Sequence, residues 1–81
     1  MRPDDALLTR RVRSEIIRRE LNTQKLEVKV MHGVVYLAGE LGPTRAQKII
    51  DWRKEMEIIE NIIYGLSGIR GIDNRIKWIQ I

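Results

Sequence analysis

The sequence contains no cysteine and a single histidine among its 81 residues. Without thiols it can form no disulfide, no thiolate metal site and no cysteine nucleophile. One imidazole would leave a zinc ion dependent on carboxylates for every other protein ligand, a set that zinc rarely takes. No metal and no cofactor are therefore expected. No stretch approaches the ~20 consecutive apolar residues of a membrane-spanning helix. The N-terminal run MRPDDALLTRRVRSE lacks the apolar centre of a secretory signal, and a leading Met agrees with that, so a cytoplasmic location is expected. Internal repeats and low-complexity tracts are also missing.

What remains is one small domain, residues 1–81. A single core of this size is marginal in stability, which favours self-association. Fifteen basic and eleven acidic side chains give a net charge of +4. Anionic partners approach such a surface more readily than cationic ones, although a solvated basic surface is the plainer reading.

Residues 4–21 read as a helix, with Asp4 or Asp5 able to cap its start. Leu8, Val12 and Ile16 step by four and form one apolar stripe. Leu7, Ile17 and Leu21 form a second, so the helix is expected to bury two sides, one on a sheet and one on another helix. Arg10, Arg11, Arg13, Arg18 and Arg19 are spread around it. Asn22-Thr23-Gln24 ends the pattern as a loop.

In the stretch VKVMHGVVYLAGEL, apolar residues alternate with others on both sides of His32-Gly33. That is a hairpin with a two-residue turn, since Gly accepts positive φ freely and His better than most. The turn sets Val30 opposite Val35, Val28 opposite Leu37 and Leu26 opposite Gly39. The buried face is then Leu26, Val28, Val30, Val35 and Leu37, and a slip of one residue would destroy it. Gly39, lacking a side chain, suits a helix crossing close over the strand. The outer face carries Lys29, Met31, Val34, Tyr36 and Ala38, more apolar than solvent requires.

Gly42-Pro43-Thr44 stops the strand, and Thr44 can cap a second helix over about 44–66. Its seam of Ile49, Trp52, Met56, Ile59, Ile63 and Leu66 has steps of 3, 4, 3, 4 and 3. At ~1.5 Å per residue such a helix is ~33 Å long, against ~20 Å for a six-residue strand. It would overhang its sheet and invite a second copy. After the Gly-rich exit GLSGIRG, residues 72–81 alternate again, with Ile72, Ile76 and Trp78 on one side. The order helix-strand-strand-helix-strand predicts an α+β fold, a three-stranded sheet with both helices packed on one face.

These residues resemble the BON domain, a module of bacterial osmotic-stress and nodulation proteins. Gly33, Val34, Val35, Leu37 and Gly39 match its first block, and Gly68, Ile69, Ile72, Asn74, Ile76 and Trp78 its second. Val12 fits the helix position, and the resemblance covers roughly residues 5–79. The interval from Gly39 to Gly68 is longer than usual, which agrees with an extended second helix. The resemblance implies a non-enzymatic module that binds phospholipid membranes or other ligands, with no catalytic residue to carry over.

Several residues are open to a sharper reading. His32 as a catalytic base has no Ser or Cys partner in a recognisable arrangement, so the turn reading is favoured. Gly65-Leu-Ser-Gly68 and Gly68-Ile-Arg-Gly71 are GxxG sequences, but a phosphate-clamping loop of that kind joins two helices. A helix cap followed by a turn, with Gly at positive φ, fits better. The arginines of the first helix are anion-binding candidates, since guanidinium pairs bidentately with phosphate. Glu15 and Glu20 dilute them. Met31, Val34, Tyr36, Ile79 and Ile81 are candidates for an exposed apolar patch, and Trp52 and Met56 for a helix interface. Gly33, Gly39, Gly68 and Asn74 are structural, Asn74 satisfying backbone groups where the chain enters the last strand. The expected partners are an anionic membrane surface or a protein, together with further copies of the chain. Nucleic acid bound through charge and Tyr36 is the alternative.

Overall fold

The sequence periodicity resolves into six elements in a computed structural model that describes residues 3–45 and 51–79. In chain order these are α1 (Pro3–Ile17), β1 (Leu26–Met31), β2 (Val34–Leu41), α2 (Trp52–Tyr64), β3 (Gly71–Asn74) and β4 (Lys77–Trp78). The fold is α+β with a mixed sheet. Strand β2 is central, antiparallel to β1 on one side and parallel to β3 and β4 on the other.

The hairpin has the expected register throughout, from Leu26 opposite Gly39 to Met31 opposite Val34. His32 (φ 52°) and Gly33 (φ 81°) both take positive φ, the geometry of a two-residue turn whose twist matches that of the strands. Alternation puts Leu26, Val30, Val35 and Leu37 on one face, and all four are buried. They share one core cluster with Val12 and Ile16 of α1 and Ile59 and Ile63 of α2, so both helices lie on that face.

Gly39 is required for a reason other than the expected helix crossing. Its φ is +86°, and a Cβ there would overlap the backbone carbonyl oxygen of Lys25. Strand meets strand at this point, and the same carbonyl accepts the Glu40 N–H at 3.0 Å.

Helix α1 ends earlier than the expected residue 21. The N–H groups of Arg19 and Glu20 reach back only three residues, to Ile16 and Ile17, tightening the last turn. Glu20 then takes φ 59°, and this left-handed residue swings Leu21 into the core. Asp4 and Asp5 lie inside the first turn rather than at a cap. Leu21 leaves the second stripe, and Leu7 and Ile17 are exposed; α1 meets both the sheet and α2, as expected, but does so through Val12, Ile16 and Arg19.

Helix α2 starts at Trp52, not at Thr44. Asp51 has extended backbone, and its carboxylate accepts the Lys54 N–H, which fixes the start. Thr44 and Arg45 are not helical, and Ile49 lies outside the described residues, as does the rest of 46–50. Thirteen residues make a helix of ~20 Å. It matches the strands in length, so the overhang expected to draw in a second copy does not arise. Leu66, beyond the helix, and Met56 within it both pack on the core.

The last stretch is broken in two. β3 and β4 keep one register beside β2, with Asn74 opposite Leu37 and Lys77 opposite Glu40. At the break, Asn74 Oδ1 accepts the Ile76 N–H at 3.0 Å while Nδ2 donates to Glu60 of α2 at 3.1 Å. Asn74 thus bridges a gap within the track, not the start of the last strand where the sequence reading set it. Ile72, Ile76 and Trp78 pack on the core. Of the glycines leaving α2, Gly65 caps with right-handed backbone and Gly68 turns the chain at φ +94°.

The free edge of β1 is closed by α1. Asp5, Thr9 and Arg13, four residues apart, run beside the apolar stripe. Asp5 accepts the His32 N–H at 3.2 Å, Thr9 Oγ1 accepts the Val30 N–H at 3.0 Å, and Arg13 donates to the Leu26 carbonyl at 3.3 Å. Edge strands left open invite pairing with other chains, and these side chains occupy that edge. Thr9→Val should leave the N–H of fully buried Val30 without an acceptor and destabilise the fold by about 1–3 kcal/mol. Thr9→Ser should restore most of it. Urea unfolding followed by circular dichroism checks this, and an unchanged Thr9→Val midpoint would show that the bond contributes nothing.

Candidate functional site

Helix α1 separates its residues by direction. Val12, Ile16 and Asp5 point into the protein and are buried. At 3.6 residues per turn, Leu7, Arg10, Arg11, Ser14, Ile17 and Arg18 fall within an arc of roughly 120° on the opposite side. All six are exposed, Leu7 to 61% and Ile17 to 49%. No acidic residue lies within the arc. Asp4 stands at its rim, and half-buried Glu15 is outside it. The result is a basic strip with an aliphatic side chain toward each end.

The arginines expected to meet anions divide into two groups. Arg10 and Arg11 are exposed, with no ion-pair partner among the described residues. Arg18 approaches Glu15 at 3.6 Å with its side chain 75% exposed, a contact that solvent screens. Arg13 is committed to the Leu26 carbonyl. Arg19 is committed more firmly, because its Nε and a terminal nitrogen grip both Glu55 carboxylate oxygens at 2.7–3.1 Å, tying the end of α1 to α2. Arg13 and Arg19 are therefore structural, and Arg10, Arg11 and Arg18 form the accessible set.

The apolar candidates also divide. Met31, Tyr36 and Ile79 are exposed on the outer face of the sheet, away from both helices, and Val34 is half-buried there. Trp52 is 41% exposed at the start of α2, with the Arg53 guanidinium 5.3 Å from its ring centre. Met56 is not a free contact residue, since it packs on the core with the Asn74 amide 3.7 Å from its sulfur. Ile81 lies outside the described residues. Sequence reasoning missed Leu7 and Ile17 as surface residues. Their signal was present, since both stand among arginines, but membership of an apolar stripe suggested burial.

Among the described residues no arrangement of side chains suggests covalent chemistry. His32 lies in the hairpin turn, where its N–H donates to Asp5 and its carbonyl is approached by Arg70 at 3.5 Å. Two surface clefts among the described residues run along residues 21–25 and 40–45, at the other end of the strands from His32. Among the described residues no group of three His, Asp or Glu is placed to hold a metal ion. No described helix is long and apolar enough to cross a membrane.

No curated protein matches the chain closely enough to count as a relative. The family comparison is positive and spans nearly the whole length, for the BON domain model matches residues 4–80. That range takes in the hairpin glycines, the Asn74 bridge and both helices. The chain belongs to the BON domain family, whose members are non-catalytic modules generally known to bind phospholipid membranes.

Proposed function

We propose that this chain binds anionic phospholipid surfaces through the outward face of α1. The observation that carries the reading is the exposure of Leu7 and Ile17 among Arg10, Arg11 and Arg18, with no acid between them. The apolar stripe of α1 stays in the core, so the contact with a bilayer is shallow, with Leu7 and Ile17 at the interface and the arginines among the headgroups. Each arginine near an anionic surface contributes about 1 kcal/mol. Two aliphatic side chains passing from water into the interface add a fraction of the ~1.5–3 kcal/mol that full burial gives each. The sum is modest, so the contact is reversible and sensitive to salt.

Nucleic acid is the poorer fit. Binding single strands takes cationic and aromatic groups on one surface. Here Tyr36 is on the outer face of the sheet, and the accessible arginines of α1 point away from it on the helix side.

Co-sedimentation with vesicles tests the reading. Binding is expected to anionic vesicles, weakening as salt rises, and not to zwitterionic ones. Equal binding to both, or to neither, would sink it, the second result leaving the face to a protein partner.

A further inference from the structure

The outer face of the sheet differs in character from the face of α1. Its acids Glu27, Glu40 and Asp73 lie among the bases Lys25, Lys29, Arg75 and Lys77, and Met31 and Val34 form an apolar end beside the turn, with Tyr36 in the next row. A surface of mixed charge gains little from an anionic membrane. Its order across the strands suits another partner. One row reads Lys29, Tyr36, Asp73, base to acid across the central strand. The next reads Glu27, Ala38 and, in the same register, Arg75, acid to base. The third reads Met31, Val34, Gly71, large to none.

We infer that this face binds a second copy of the chain, sheet against sheet, about a two-fold axis parallel to β2. Such an axis keeps each row level and exchanges the outer strands. Tyr36 meets the partner's Tyr36, Lys29 meets the partner's Asp73, and Glu27 meets the partner's Arg75. Met31 stands over the partner's Gly71, where a Cβ would find no atom within 4 Å. Each of these three rows is self-complementary, as an isologous interface demands; the row of Glu40 and Lys77, where Glu40 would face its own copy, lies beyond the contact at the far end of the strands. The Asp73–Arg75 pair within one copy, 3.2 Å long, has an exposed guanidinium and a carboxylate still partly open to solvent, so it can be shared. Sheets packed this way lie ~10 Å apart with their strands within about 30°.

Three strands some 20 Å long give a footprint well under the ~800 Å² per partner of a standard interface. The dimer is therefore in exchange with monomer. It also has a geometric consequence that rests on the proposed lipid contact. The helices cover the opposite face of each sheet, so the dimer presents two α1 faces pointing apart and can hold two bilayers together.

Analytical ultracentrifugation of the full chain from about 10 to about 500 μM, without lipid, should show the mass rising from 9.5 kDa toward twice that value. Lys29→Asp should weaken the dimer at least tenfold, and Lys29→Asp with Asp73→Lys should restore it, since each reversed charge then meets its opposite. Gly71→Leu should block the seat of Met31 and weaken it too. Circular dichroism confirms that each variant is folded. With anionic vesicles the parent should raise turbidity, whereas Lys29→Asp should bind equally well without doing so. A monomer at every concentration, or a dimer indifferent to Lys29→Asp and Gly71→Leu, overturns this interface. A monomer that still binds vesicles overturns the interface and leaves the lipid reading standing. A charge-swappable dimer that ignores vesicles upholds the interface and removes the lipid reading alone.

Discussion

Gly39→Val should leave most of the chain unfolded under conditions where the parent is folded. A β-branched residue at φ +86° is strained before it touches anything, at a cost of about 1–3 kcal/mol. Its Cβ would also overlap the Lys25 carbonyl, which is backbone and cannot rotate away. Relief requires the start of β1 to move, breaking the Leu26–Gly39 pairing and the bond from the Glu40 N–H. Together these losses reach about 4 kcal/mol, comparable with the whole stability of a domain at the small end of the ~5–15 kcal/mol range. Gly71→Ala is the control, because nothing stands within 4 Å of its added methyl and its φ is not in the left-handed region. It should change stability by no more than about 0.5 kcal/mol. Urea unfolding of both variants by circular dichroism makes the comparison. A Gly39→Val midpoint near that of the parent would mean that β1 and β2 do not meet as described.

The second large effect is on binding. Arg10→Glu with Arg11→Glu should reduce affinity for anionic vesicles about a thousandfold. Each reversal removes an attraction of about 1 kcal/mol and introduces a repulsion of similar size, so two give about 4 kcal/mol. At 1.4 kcal/mol per factor of ten, that is nearly three decades. The fold should not change, since both side chains are exposed and neither holds another element. Vesicle titration together with thermal unfolding separates the two quantities. Unchanged affinity in a folded double variant would remove α1 from the contact.

The sequence carried the hairpin in full. Period-two alternation around His32-Gly33 admits only one register that buries Val30 with Val35 and Val28 with Leu37, and burial enforces it. Helix ends were less legible because they depend on single side chains. Asp51 capping Lys54 decides where α2 begins, and a left-handed Glu20 decides where Leu21 points. Neither feature has a periodicity to read. Gly39 was recognisable as a glycine with a purpose, but the purpose involves a carbonyl fourteen positions earlier in the chain, which only pairing reveals. The candidate site was half legible. Five arginines stood out, and composition could not show that Arg13 and Arg19 are spent on Leu26 and Glu55. Leu7 and Ile17 read as buried because an apolar residue at helical spacing usually is, and the sheet has room for only one stripe of α1.

The most direct test of the central claim is to see which residues meet the lipid. Amide resonances of the labelled chain would be followed as anionic bicelles are added, with zwitterionic bicelles as reference. Broadening and shifts should concentrate on Leu7, Arg10, Arg11, Ser14, Ile17 and Arg18, while Met31, Tyr36 and Asp73 hold their positions. Changes centred on the outer sheet face or on the His32 turn, with α1 unmoved, would contradict the account.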